Sequence, residues 1–146
     1  MKYQIIVLVL IIVLMAFSFC SSAGQDKKED EVTVEQVKQK MVKKDPIILL
    51  DVRTVPEFDG DLGHIPGAIL IPLAELESRM PEIERYKDSE MVVICRSGNR
   101  SGQATRFLRE KGFNAYNMNG GMLAWNKLSE TEKSDSTGEN DETISK

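Results

Sequence analysis

An ionised cysteine is among the strongest nucleophiles a protein can present, and this chain sets one at the head of an unusual heptapeptide. The segment is Cys95-Arg96-Ser97-Gly98-Asn99-Arg100-Ser101. The apolar run Met91-Val92-Val93-Ile94 before it reads as a short buried strand. Ser101 to Lys111 after it reads as a helix. A small polar loop between a strand end and a helix start can aim several backbone N–H groups at one anionic atom. Arg96, Arg100 and the positive end of the helix dipole then favour thiolate over thiol. The pattern is a nucleophile in an anion-binding cradle. Cys95 is the catalytic candidate; Arg96, Ser97, Gly98, Asn99, Arg100 and Ser101 are the substrate-binding candidates.

Other residues invite chemistry less strongly. His64 is the single histidine, and a Cys–His dyad is one reading of it. In the turn His64-Ile65-Pro66-Gly67, a histidine satisfying backbone groups is the better one. Asp51 and Arg53, just past an apolar run, read as residues that hold rim loops by hydrogen bonds. Gly98 supplies backbone freedom. Gly120 and Gly121 shape a turn, and Trp125 packs a core.

The elements that must position Cys95 alternate in type. Thr33 and Gln36 form a capping box that opens a helix. Val34, Val37, Met41 and Val42 give that helix an apolar face, and Asp45-Pro46 ends it. Ile47 to Leu50 reads as a fully buried strand. Pro56 to Leu62 is a loop or short helical turn, and Ala68 to Ile71 a further strand. Leu73 to Met80 and Pro81 to Tyr86 read as helices, the second with proline in its first turn. The Ser101 helix carries Ala104, Phe107 and Leu108 on one face and stops at Gly112. Phe113 to Met118 holds a last strand, Asn119-Gly120-Gly121 a turn, and Met122 to Leu128 a final helix. Alternating strands and helices predict a mostly parallel sheet covered on both faces, a three-layer α/β/α arrangement. In such sheets ligands bind beyond the C-terminal strand ends, where Asp51 and Cys95 both fall.

Composition frames this domain. The chain has 146 residues and a net charge of -4, from 19 Lys+Arg against 23 Asp+Glu. That balance lacks the clustered basic face of a nucleic-acid binder. Residues 1–23 read as a signal peptide or N-terminal anchor. Ile5 to Phe19 is apolar except for Ser18, slightly short for a comfortable span. Three fates remain open: cleavage after Ala23, lipidation of Cys20, or retention as an anchor. Phe17-Ser18-Phe19-Cys20 matches a bacterial lipobox only loosely, because Phe19 is large. All three fates export the domain. Residues 24–31 read as a charged tether, 32–128 as the folded domain, and 129–146 as an acidic, disordered tail. The chain has two cysteines. With Cys20 removed or lipidated, Cys95 has no intramolecular partner, a hazard in an oxidising compartment unless the thiol has a function.

The middle of the chain resembles the single-domain rhodaneses, a sulfurtransferase family. Leu50-Asp51-Val52-Arg53, Glu57-Phe58 and Gly63-His64-Ile65-Pro66-Gly67-Ala68 are similar to its N-terminal signature. Cys95 to Ser101 is similar to its active-site loop, and Asn119-Gly120-Gly121 with Trp125 to its C-terminal signature. One departure is local: Asp59-Gly60-Asp61-Leu62 separates Glu57-Phe58 from Gly63-His64, where many relatives have two residues. The resemblance implies a rhodanese-like fold and sulfur transfer through a Cys95 persulfide. The donor would be a small sulfur-bearing anion such as thiosulfate, and the acceptor cyanide, a small thiol or a protein thiol. It implies no metal and no organic cofactor. The expected location is the bacterial cell envelope or periplasm, with membrane contact through the N-terminal segment and no nucleic-acid partner. Two rival functions stand beside it. One is a sulfur carrier or docking module that depends on a partner. The other is a phosphatase of the same fold, whose loop has five residues between Cys and Arg where this chain has four.

Overall fold

The computed structural model describes residues 30–137. The signal or anchor segment with Cys20, and nearly all of the tether, lie outside the described residues. Five strands make one all-parallel sheet in the order β1-β5-β4-β2-β3. They are β1 (Glu31–Val32), β2 (Ile47–Asp51), β3 (Ile69–Leu70), β4 (Glu90–Ile94) and β5 (Ala115–Met118). The helices are α1 (Val34–Lys43), α2 (Val55–Phe58), α3 (Leu76–Arg79), α4 (Asn99–Glu110) and α5 (Gly121–Thr137). The result is an α/β fold with an all-parallel sheet and helices on both of its sides.

Side-chain alternation along the central strands divides the core in two. Met91, Val93 and Cys95 join Leu50, Val52, Leu76, Ala104 and Leu108 on the α3–α4 side. Val92 and Ile94 join Leu49, Val34, Val37 and Met122 on the α1–α5 side. Both faces of β4 are therefore covered, which is why its sequence is continuously apolar instead of alternating.

The capping box of α1 is present: Gln36 N donates to Thr33 Oγ1 at 3.3 Å, and Thr33 N to Gln36 Oε1 at 2.8 Å. Val42 departs from its expected place and is 83 % exposed. At about 100° per residue it falls roughly 80° round the helix from Val34, off the stripe that Val34, Val37 and Met41 share. Glu31, expected in the tether, instead pairs with Asn117 as part of edge strand β1.

The two helices expected over Leu73 to Tyr86 are a broken series. Leu73–Glu75, Met80–Glu82 and Glu84–Tyr86 are 3-10 turns around the short α3. Pro81 has no N–H to donate and its ring opposes a continuous α-helical path. Leu76 and Ile83 anchor the series in the core. At the other end, α5 runs on to Thr137, into the segment read as disordered tail. The Ser/Thr side chains that signalled disorder bond back to helix carbonyls. Ser129 Oγ donates to Trp125 O at 2.9 Å and Thr131 Oγ1 to Lys127 O at 3.0 Å. Glu132 pairs with Lys38 of α1 at 2.6 Å. Residues 138–146 lie outside the described residues.

Candidate active site

Cys95 directly follows β4, so its position is set by the most buried strand of the sheet. The residue is 1 % exposed. The chain then bends through Arg96, Ser97 and Gly98 into α4, which begins at Asn99, two residues before the expected start. Gly98 has φ +98, a left-handed conformation that side chains other than glycine rarely tolerate. That bend turns the loop amides inward. Gly98 N donates to Cys95 Sγ at 3.1 Å, and Ser101 Oγ lies 3.2 Å from the same sulfur. Burial pushes the Cys95 thiol up. The Ser101 hydroxyl, together with the backbone N–H groups of Ser101, Ser97 and Gly98, outweighs burial and brings it below the ordinary thiol value.

The loop carbonyls are taken up from the other side. At the N-terminus of α5, Met122 N donates to Cys95 O at 2.9 Å and Leu123 N to Arg96 O at 3.0 Å. Gly121 makes this approach possible, because a Cβ there would lie 2.7 Å from the Arg96 carbonyl. Asn119-Gly120-Gly121 is thus more than a turn. It brings a helix terminus against the loop so that carbonyls face α5 and amides face the sulfur.

The remaining candidates separate. Arg96, Ser97 and Asn99 are exposed at the rim. Arg96 also lines a cavity of about 350 Å³ with Arg53, Pro56, Glu57, Gly60, Asp61 and Leu62. Arg100 is not a free cation. It forms a two-pronged pair with Glu57, at 2.8 Å and 2.5 Å. The Arg100 guanidinium, assisted by Thr54, holds the Glu57 carboxyl down at about 2. Glu57 belonged to the motif reading but not to the expected site.

Behind Glu57 stands a buried pair. Arg53, 1 % exposed, binds both carboxylate oxygens of fully buried Asp51. It also donates to Glu57 O at 2.9 Å and Gly63 O at 2.8 Å. Asp51 and Arg53 therefore fix both ends of the 57–63 loop, and that loop delivers Glu57 to Arg100. His64 stacks on Phe58 with ring centroids 3.8 Å apart, and its Nδ1 lies 3.1 Å from Phe58 O. Its contacts belong to the loop and not to the cysteine.

Sequence reasoning missed Asn117. It lies on β5 opposite Val93 in the parallel register, on the same side of the sheet as Cys95, and Ser101 Oγ is 2.6 Å from its Oδ1. The available signal was a single amide in an otherwise apolar buried strand. Among the described residues, no group of His, Cys, Asp and Glu could hold a metal ion.

A family model described as a rhodanese-like domain matches residues 33–128. A protein of Allochromatium vinosum named sulfurtransferase is 36 % identical over 97 residues, covering 66 % of this chain and 87 % of that one. YrkF of Bacillus subtilis, whose name proposes a sulfur-carrier role, is 34 % identical over 113 residues, 73 % of this chain; the chain spans only 59 % of its length. The crystal structure of a rhodanese-like domain protein from Staphylococcus aureus superposes with a TM-score of 0.60 at 31 % identity, covering 66 % of this chain and 90 % of that one.

Proposed function

The chain belongs to the rhodanese-like family, and on that premise we propose that it is a sulfurtransferase working through a persulfide on Cys95. The observation that carries this reading is the ring of donors around one sulfur, with Gly98 N at 3.1 Å and Ser101 Oγ at 3.2 Å. In the first step the Cys95 thiolate attacks the outer sulfur of thiosulfate. An S–S bond forms to Cys95, the donor's S–S bond breaks, and sulfite leaves with the electron pair. In the second step cyanide or a thiolate attacks the outer sulfur of the persulfide, and Cys95 leaves as thiolate. The two steps need no oxidant or reductant, because sulfane sulfur moves between nucleophiles. Donors preorganised around an anionic sulfur lower the barrier to both displacements, in the manner of an oxyanion hole.

Arg96, exposed at the rim, would bind the donor's sulfonate end through charge-assisted hydrogen bonds. Arg100 reaches a donor only in competition with Glu57. Mass spectrometry of the intact protein after thiosulfate treatment tests the reading. The expected result is one added sulfur atom, located on Cys95 and removed by cyanide. No added sulfur, or sulfur elsewhere, refutes it. A second reading, a carrier that needs a partner, draws support from the name of YrkF. It predicts loading without turnover when only small donors and acceptors are present. We propose further that the domain works in the bacterial cell envelope, kept at the membrane by lipidated Cys20 or by the apolar segment Ile5 to Phe19. That proposal rests on the sequence of residues 1–23.

A further inference from the structure

Ser101 holds one hydroxyl proton between two acceptors. Its Oγ lies 3.2 Å from Cys95 Sγ and 2.6 Å from Asn117 Oδ1. A hydroxyl can donate to only one of them at a time. Ser101 is fully buried, so bulk water does not replace a partner lost at its hydroxyl, and an unmet polar group there is costly.

With a neutral thiol the arrangement is satisfied. Ser101 donates to the Asn117 carbonyl, and the thiol S–H can donate weakly to Ser101 Oγ. With a thiolate the arrangement conflicts. The sulfur now needs the Ser101 proton, and Ser101 Oγ would face Asn117 Oδ1 oxygen to oxygen. The Asn117 carboxamide can resolve this by a half-turn that exchanges its oxygen and nitrogen. Nδ2 would then donate to Ser101 Oγ while Ser101 donates to the sulfur. Among the described residues Nδ2 has no hydrogen-bond acceptor to give up. Two glycines leave room beside it: even a Cβ on Gly102 or Gly98 would stay 3.5 Å or 3.9 Å from Nδ2.

We propose that Asn117 is a positioning residue for the Cys95 nucleophile: its carboxamide reverses as the sulfur gains and loses charge, steering the Ser101 proton to the sulfur when the anion forms. This rests on Cys95 being the ionising nucleophile, but its test reads ionisation and not sulfur transfer, so either can fail alone.

The test follows the Asn117 carboxamide by NMR in isotope-labelled protein while pH is raised through the thiol range. Cys95 ionisation is read in parallel from the rate of alkylation by iodoacetamide. The Asn117 side-chain N–H signals should move with the alkylation inflection and stay flat in Cys95→Ser. In Ser101→Ala, which cuts the relay, the movement should shrink severalfold. No movement in the wild type overturns the proposal. So does movement of equal size in Ser101→Ala, which would show only the through-space field of the thiolate. Asn117→Asp gives an independent arm, because a carboxylate can only accept. It should lower the thiolate fraction below the inflection by about tenfold, one pK unit, and by clearly less when combined with Ser101→Ala. Equal effects in both backgrounds would mean charge alone, and would also overturn the proposal.

Discussion

Removing the Ser101 hydroxyl should make the Cys95 pH–rate profile cross that of the wild type. The hydroxyl leads the groups that lower the Cys95 thiol against its burial. A hydrogen bond to a charged group contributes about 1.5–3 kcal/mol. This one is long, at 3.2 Å, and shared with Asn117, so the lower end, about 1.5 kcal/mol, applies. At about 1.36 kcal/mol per pK unit, Ser101→Ala should raise the inflection by about one unit. Below both inflections the thiolate fraction then falls about tenfold. The surviving thiolate is more basic and so more reactive: with a Brønsted slope of about 0.4–0.5, each thiolate reacts about threefold faster. Alkylation should therefore be about three- to fourfold slower below both inflections and about threefold faster above them. Stopped-flow alkylation by iodoacetamide across the thiol range measures both limbs, with circular dichroism as the check on folding. An unchanged inflection would mean that the hydroxyl does not serve the sulfur. A uniform loss at every pH would mean that the cradle had collapsed, and the electrostatic reasoning would fail.

The other predictions concern chemistry, charge and place. Cys95→Ser should fold normally and retain under about 1 % of thiosulfate-to-cyanide transfer, since a hydroxyl forms no persulfide; steady-state assay of thiocyanate decides it, and activity above that level would falsify the covalent route. Arg96→Ala should raise the KM for thiosulfate more than Arg100→Ala does, because Glu57 already engages Arg100; the reverse order in steady-state kinetics would place Arg100 on the donor. The Glu57 carboxyl is held at about 2 in the fold. A depressed carboxyl stabilises the fold above its unfolded value of ~4.3 and loses that contribution as pH falls through the folded value. The melting-temperature gap between wild type and Glu57→Gln should therefore shrink as pH is lowered from the first value towards the second. The gap should be small throughout, since both partners are one-third exposed and exposed pairs contribute under about 1 kcal/mol. In cells, the protein should stay with the membrane fraction in high salt, which releases merely electrostatic contacts; recovery in the cytoplasm would overturn the reading of residues 1–23.

Local signals made the centre of the site legible. A continuous apolar run gives β4, the small polar loop must follow it, and the period of Ala104 and Leu108 gives α4, so Cys95 falls on the sheet rim from sequence alone. What the sequence hid depends on contacts between distant segments. Glu57 meets Arg100 across 43 positions, and no spacing rule brings a loop carboxylate to that guanidinium. Asn117 meets Ser101 only because parallel pairing sets it opposite Val93, which turns its side chain to the α4 side. The α5 amides reach the carbonyls of Cys95 and Arg96 through a helix that itself ran further than composition implied. Ser and Thr at residues 129–134 read as disorder until helix carbonyls are available for their hydroxyls to bond.

Those hidden contacts also bear on why the cradle suits sulfur better than a phosphoryl group. A phosphate needs donors spread over three peripheral oxygens and a guanidinium free to clamp two of them. Here the cradle converges on the nucleophile itself: the Gly98 amide donates to Sγ and the Ser101 hydroxyl lies within reach of it. The arginine that ends the loop is committed to Glu57, whose loop is in turn fixed by Arg53 and Asp51. Freeing Arg100 would mean leaving the Glu57 carboxylate without its guanidinium. The four-residue spacing between Cys95 and Arg100 thus acts together with a distant carboxylate. Glu57 takes up the charge that a tetrahedral anion would require of Arg100. A displacement in which a single sulfur atom arrives and leaves makes no such demand.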